Sequence, residues 1–241
     1  MATHVASRIE VKRADERFRT RRDWLDSRHS FSFGPHQDPR NTQFGLLVLN
    51  NDDIVWPRGG FPLHTHREME IVTWVLDGVL EHRDSTGGRG LIAPGLAQRL
   101  SAGTGVTHSE MNPSRDKPVH FIQMWVLPER EGLAPSYELR DVNAALHNGE
   151  WFRVASGKRD GAAVRIGQRG ATLWAARFIP GRRTALPQGT HTHVFIARGG
   201  AILEEAGALK EGDAVRLTEA GALGLTASPR TGAEILVWTM G

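Results

Sequence analysis

The sequence predicts an all-β chain built from two similar β-barrels, and three observations carry that prediction. Short apolar or alternating runs recur at residues 44–49, 70–76, 79–82, 119–126, 172–179, 194–197 and 235–239. Turn-forming clusters separate them: Asn50-Asn51-Asp52-Asp53, Asp77-Gly78, Pro94-Gly95, Gly199-Gly200 and Gly212-Asp213. Runs of this length between such clusters read as the strands of a sandwich or barrel. Apolar residues at helical spacing are scarce, so helices should be few and short. The third observation is an internal repeat. IVTWVLDGVLEHRD followed by LIAPGLAQRLSAGTGVTHSE in the first half is echoed by HVFIARGGAILEE and ALKEGDAVRLTEAGALGLTAS in the second. Each copy reads as strand, Gly turn, strand, then a Gly turn and two further strands, which suggests two related barrels in one chain. The segment 129–135 reads as their connector, giving expected domains of 1–132 and 133–241.

Composition narrows the classes of function. Hydrophobic residues make up 39% of the 241-residue chain, enough for a sizeable core. The formal net charge is +3, too small to predict nucleic-acid binding without clustering. Basic residues do gather early: Arg8, Lys12, Arg13, Arg17, Arg19, Arg21, Arg22, Arg28 and Arg40. Acidic residues are interspersed among them, so a solvated face is the first reading and a basic arm for a polyanion the lesser one. The absence of cysteine excludes disulfides and thiolate metal ligands. The opening MATHVASRIEVKR has no apolar core of the secretory type, and no apolar run approaches the ~18 residues of a membrane span. A cytoplasmic protein is expected.

The residues that carry chemistry lie in the first half. In Gly59-Gly60-Phe61-Pro62-Leu63-His64-Thr65-His66, strand alternation points His64 and His66 to one face. In Gly103-Thr104-Gly105-Val106-Thr107-His108-Ser109-Glu110, His108 and Glu110 share a face for the same reason. One His-x-His alone is common. Two such pairs within one β-unit, each beside turn glycines, point to a metal site. Imidazoles with a carboxylate suit Fe, Mn, Co, Ni, Cu or Zn and are poor donors for Ca or Mg. Glu70 has the same parity as His64 and His66. It reads either as a ligand in place of Glu110 or as an acceptor that orients an imidazole N–H.

These motifs resemble the pirin family of the cupin superfamily. The resemblance runs through His29-Ser30-Phe31-Ser32-Phe33-Gly34, Asp38-Pro39, Phe44-Gly45, Asn50 to Asp53, His64-Thr65-His66-Arg67-Glu68-Met69-Glu70 and Glu81-His82-Arg83-Asp84-Ser85. It continues through Pro94-Gly95, Ser101-Ala102-Gly103-Thr104-Gly105, His108-Ser109-Glu110-Met111 and Gln123-Met124-Trp125. It is strong over the first ~130 residues and looser beyond, and it is closest to the bacterial members with quercetin 2,3-dioxygenase activity. Thr65 replaces the proline usual between the two histidines, on the face away from the site. The resemblance implies a bicupin of jelly-roll type with one divalent transition ion in the N-terminal barrel. Iron is the first expectation, and Mn, Co, Ni, Cu and Zn are the alternatives. It implies His64, His66, His108 and Glu110 as ligands, Glu110 as the base, and Glu70 as an orienting acceptor. The implied activity is oxidative opening of flavonols such as quercetin, or a related aromatic enol, by dioxygen with release of carbon monoxide. The alternative is a regulatory protein, a transcriptional co-regulator or partner of a metabolic enzyme, using the same centre as a redox or binding element.

The second half carries its own pair, His191 and His193. Aligning the repeats sets Leu186 and Gln188 opposite His64 and His66, with Ala227 opposite His108 and Pro229 opposite Glu110. The pair therefore reads as a surface feature. His82, His120 and His147 read as structural or surface histidines, and the role of His29 stays open. The seven tryptophans, Trp74, Trp125, Trp174 and Trp238 among them, read as core, with one bordering the site. No phosphate-binding P-loop and no nucleophile elbow is present.

Overall fold

The computed structural model describes residues 7–158 and 161–241, so part of the segment read for a secretory leader, residues 1–6, lies outside the described residues. In chain order the strands are β1 (Arg8–Lys12), β2 (Phe18–Arg22), β3 (Leu25–His29), β4 (Leu47–Val55), β5 (Gly60–His66), β6 (Glu70–Asp77) and β7 (Leu80–Asp84). There follow β8 (Arg89–Ile92), β9 (Leu96–Ser101), β10 (Val106–Met111), β11 (Val119–Val126), β12 (Ser136–Asp141), β13 (Phe152–Ser156) and β14 (Val164–Arg165). The last are β15 (Ala171–Phe178), β16 (Arg183–Ala185), β17 (His191–Leu203), β18 (Gly207–Lys210), β19 (Ala214–Thr218), β20 (Gly224–Ala227) and β21 (Ala233–Met240). Helix among the described residues is limited to a 3-10 turn at Ala14–Glu16 and the short α1 (Asn143–Leu146), as the missing helical periodicity implies. None is long and apolar enough to cross a membrane.

The strands form two compact units. One comprises Phe18–Asn143 and Ala155–Arg169, the other Met1–Arg17, Ala144–Val154 and Gly170–Gly241. The chain thus passes between units more than once, where the connector 129–135 suggested one crossing at 132/133. Two pairings account for this. β1 zips onto β19 from Arg8 opposite Thr218 to Lys12 opposite Ala214. Glu129 N–H donates to Gly167 O, which holds the connector and residues 155–169 together in the first unit.

The first unit has two sheets, a seven-stranded one in the order β12-β9-β6-β11-β4-β3-β2 and a four-stranded one in the order β5-β10-β7-β8. Apolar side chains from both fill the interior. Leu25, Val55, Val75, Leu80, Ile92, Val119 and Phe121 form one buried cluster. Ile71, Leu100, Ala102 and Val106 form another. In the second unit, Leu186, Val194, Ile196, Val215, Leu225, Ala227, Ile235 and Val237 belong to one buried cluster.

Two turn signals fall inside strands. Asn50 to Asp53 lie in β4, and Asn50, Asn51 and Asp53 are buried. Two of them find side-chain partners sideways: Asn50 Nδ2 donates to Ser30 Oγ, and Asn51 Oδ1 lies 3.0 Å from His29 Nδ1. Side-chain partners of this kind let Asn and Asp replace local turn bonding with ladder bonding. Gly199-Gly200 lies inside β17, where the register shifts between Ile196 and Arg198. β17 pairs with β19 as far as Phe195 and with β21 as far as Gly199, and from Gly200 on it pairs with β18 and β20. The basic N-terminal stretch is mostly at the surface, but Arg17 is buried. Its guanidinium lies over Phe195 and donates to Gly212 O.

Gly60 locks the pairing that matters most for the site. Its φ is +156°, and a Cβ there would lie 2.4 Å from Glu110 O and 2.6 Å from Met111 Cα. The Gly60→Ala protein should therefore lose about 1–3 kcal/mol of stability in urea unfolding, the range of an overpacking substitution. Gly87 also has positive φ, but a Cβ there would meet no atom within 4 Å, so Gly87→Ala gives the strain-only control and should lose less.

Candidate metal centre

Strands β5 and β10 run antiparallel with His108 directly opposite His64 and Val106 opposite His66. Alternation then turns His64, His66, His108 and Glu110 toward the barrel interior. The imidazole centroids are 4.4 Å apart for His64 and His108, 4.8 Å for His64 and His66, and 5.0 Å for His66 and His108. One nitrogen from each of the three rings lies within 4.8 Å of the others. Glu110 falls in a second group of the same tightness with His108 and His82. Thr65, between the two histidines, sits outside and meets Thr107 Oγ1 at 3.0 Å, so its identity does not touch the site.

The local chemistry keeps these groups ready to donate lone pairs. His64 Nδ1–H donates to Pro62 O at 2.8 Å, which leaves Nε2 as its nitrogen for a metal ion. Burial, then His64, hold His66 down at about 4. Burial, then His64, His66 and His82, hold His108 down at about 2. Both rings are neutral at physiological pH, the form a metal ion requires. Burial pushes Glu110 up to about 7, against the hydrogen bonds of Gln123 and Thr73. Gln123 Nε2 donates to Glu110 Oε2 at 2.7 Å, and Gln123 Oε1 accepts from Trp125 Nε1 at 3.1 Å. The remaining atoms, His108 Nε2 and Glu110 Oε1, are buried with no hydrogen-bond partner among the described residues. Buried polar atoms are rarely left so. A nitrogen and an oxygen orphaned beside two further imidazoles fit a transition ion.

A cavity of about 360 Å³ opens onto the cluster. Its walls are largely apolar, with Trp24, Phe33, Phe61 and Trp125 prominent, and His64, His66 and Glu110 line it too. This volume is at the lower end for small-molecule sites. Two tryptophans, Trp24 and Trp125, border the site, and the Trp125 ring meets His66 edge-on at 4.8 Å and Phe33 at 5.9 Å. His29 also lines the cavity, buried and hydrogen-bonded to Thr20 and Asn51.

Two expectations need correction, and the structural-or-surface reading of His82 narrows to its structural half. Glu70 does not join the histidines. Strand β5 ends at His66, Glu68 takes a positive φ of 48°, and Glu70 begins β6 in the other sheet, so parity counted from His66 does not survive the turn. Its carboxyl accepts from Ser101 Oγ at 2.6 Å and borders a separate cavity of about 460 Å³ with Arg99 and Gly167. His82 is no bystander: buried in β7, it places Nδ1 3.4 Å from His108 Nδ1. The Glu-His-Arg-Asp segment flagged it only as a motif member, and its position follows from β7 pairing with the far side of β10. His193 is 1% exposed in the second unit and so is not part of a surface pair. Burial, then Arg216 and Arg17, hold its ring down at about 3. Leu186 and Ala227, the counterparts of His64 and His108, are core residues of that unit.

With the geometry established, comparison with known proteins places the chain among relatives. The family model described as pirin matches residues 11–126. A Mycobacterium tuberculosis protein provisionally named quercetin 2,3-dioxygenase is 50% identical over 233 residues, spanning 96% of this chain and 95% of that one. The Escherichia coli K12 quercetin 2,3-dioxygenase is 41% identical over 154 residues, 64% of this chain and 66% of that one. Among solved structures, the Escherichia coli bacterial pirin YhhW in complex with nickel(II) superposes with a TM-score of 0.87 at 30% identity. That match covers 97% of this chain and 99% of that one.

The placement of Glu70 gives a direct test. Glu70→Ala strands the Ser101 hydroxyl and a backbone N–H, which should cost about 1–3 kcal/mol in urea unfolding. Affinity for added nickel should remain at the wild-type level in the folded variant. A large loss of nickel affinity would put Glu70 back at the metal.

Proposed function

The chain belongs to the pirin family, and from that premise we propose that it is a metal-dependent dioxygenase of the cytoplasm that opens flavonols such as quercetin with dioxygen and releases carbon monoxide. The observation that carries this reading is the grouping of His64, His66 and His108, with His108 shared by a second group that holds the buried Glu110, beside an apolar cavity that His64, His66 and Glu110 line. His64, His66, His108 and Glu110 are assigned as the ligands. The donor set accepts several divalent transition ions, and iron is our assignment for the resident one. The relatives' names support the dioxygenase reading, and the nickel held by a related pirin supports a divalent transition ion at these residues.

When bound, such an ion supplies Lewis acidity for a flavonol enolate and open positions for dioxygen. The chain's own residues do the rest. Glu110, the carboxylate of the ligand set, is the group that takes the flavonol 3-hydroxyl proton. Gln123 holds Oε2, so the accepting oxygen keeps its aim. Trp125, Phe33, Phe61 and Trp24 wall the cavity with rings that receive the flat substrate and keep water away from the reacting carbons.

The expected results follow from these roles. Wild-type protein loaded with iron should consume quercetin and dioxygen and evolve carbon monoxide, read by gas chromatography, and chelation should abolish it. His64→Ala should lose the ion, measured by elemental analysis. Glu110→Gln should retain part of the metal yet lose at least ~10²-fold in turnover, the scale of a general base. Wild-type turnover by a metal-free Glu110→Gln protein would sink the scheme. Metal uptake should also be pH-dependent. The ion-free carboxyl is protonated below about 7 and must ionise to bind, so uptake at pH 6 should release a proton that Glu110→Gln does not. Calorimetry in buffers of different ionisation enthalpy reads that difference.

A further inference from the structure

We propose that Asp84 and His82 form a relay that fixes the tautomer of His108, so that His108 presents an unprotonated Nε2 to the metal position. The inference rests on His108 being a ligand and assigns a positioning role to two residues outside the ligand set.

The argument starts at Asp84. Its Oδ1 accepts from Thr86 N–H at 2.8 Å, Thr86 Oγ1–H at 2.6 Å and Gly88 N–H at 3.0 Å. Its Oδ2 faces His82 Nε2 at 2.9 Å. With three donors on one oxygen, the carboxyl is held as a carboxylate, which can only accept. The proton of that last bond therefore belongs to His82 Nε2. His108 Nε2 has no acceptor among the described residues, so the proton between the two rings belongs to His108 and the lone pair that receives it to His82 Nδ1. That nitrogen faces His108 Nδ1 at 3.4 Å, so His108 must donate there, and its remaining nitrogen is left bare. The bare atom is Nε2, the buried nitrogen without a hydrogen-bond partner among the described residues.

The surroundings are shaped to hold this arrangement. Tyr137, the chain's single tyrosine, stacks on His82 with centroids 4.6 Å apart and planes 13° from parallel. A Cβ on Gly88 would lie 2.2 Å from Asp84 Oδ2, and one on Gly90 would lie 2.1 Å from Tyr137 Oη. The β7–β8 hairpin is thus free of side chains where the carboxylate and the phenol ring must fit. Ligating histidines ordinarily donate their second nitrogen to a carboxylate or carbonyl, as His64 does to Pro62 O. His108 reaches its carboxylate through a second ring.

The test is long-range ¹⁵N–¹H NMR of the histidine rings in metal-free protein, with nickel affinity measured beside it. In wild type, His108 should show a protonated Nδ1 and a bare Nε2, and His82 the reverse. In Asp84→Asn the amide oxygen keeps the Thr86 and Gly88 donors while its NH2 turns to His82. His82 then carries its proton on Nδ1 and His108 is pushed to the other tautomer, with nickel affinity falling about 10–100-fold, the scale of losing a ligand's supporting partner. His82→Phe keeps the stack on Tyr137, removes the acceptor and should lose nickel affinity on the same scale. A wild-type His108 with its proton on Nε2 overturns the proposal. So does an Asp84→Asn protein with unchanged His108 signals and unchanged nickel affinity, or a His82 nitrogen that nickel itself binds. Wild-type protein that takes up no nickel would overturn the ligand assignment beneath it, and the metal-free spectrum tells the two failures apart.

Discussion

The centre depends on the register of one strand. β10 lies between β5 and β7, and its pairing sets His108 opposite His64 on one side and opposite Asp84 on the other. Because side chains alternate, a slip of one residue would carry His108 and Glu110 to the outer face together. Little in the exposed ends of β5 could prevent that slip, since Pro62, Leu63 and Thr65 face solvent. The buried end does so. Gly60 packs its bare Cα against the backbone of Glu110 and Met111, a contact that only this register and only glycine allow. A fold-level constraint on one backbone atom is thereby also a constraint on the carboxylate.

The large sheet answers this with a polar row of its own. His29, Asn51, Gln123, Thr73 and Gln98 stand opposite one another across β3, β4, β11, β6 and β9. Apolar rows flank it, Phe121 and Val75 on one side and Trp125, Ile71 and Leu100 on the other. Burying amides and an imidazole is costly unless they are bonded, so the row reports a functional demand on the barrel interior. Its working member is Gln123. Trp125 donates to the Gln123 oxygen, which turns the amide nitrogen toward Glu110. The same Trp125 ring touches His66. A single wall residue therefore shapes the cavity, contacts one proposed ligand and, through Gln123, aims another.

How much of this was legible in the sequence varied with the range of the interaction involved. Strand existence and the pairing of His64 with His66 and of His108 with Glu110 follow from period-two alternation, which is local. The convergence of the two pairs required strand pairing between residues about forty positions apart, and there the family motifs supplied what periodicity alone does not. Failures came where the chain turned. Parity carried Glu70 across a corner at Glu68 that resets it. Asn50 to Asp53 looked like a turn because their tertiary partners, Ser30 and His29 among them, lie elsewhere in the chain. His82 was passed over for the same reason: its meaning lies across β10, and no spacing in its own strand expresses it.

The two units show what a metal centre demands of a barrel. The repeat gives both the same succession of strands and turns, but in the second the counterparts of His64 and His108 are Leu186 and Ala227, and both belong to its apolar cluster. Apolar residues at those positions add to the burial that stabilises a small barrel. Imidazoles and a carboxylate there subtract from it and have to be held neutral or bonded. In the first unit that demand is met from outside the ligand set, by Pro62 O for His64, by Gln123 for Glu110 and by the His82–Asp84 pair beside His108. A duplicated barrel lets one copy carry polar groups at these positions while the other keeps Leu186 and Ala227 there. Restoring histidines to the second copy without such supports would bury imidazoles with nothing to fix which nitrogen carries the proton, so a metal centre there would require the supporting residues as well as the ligands.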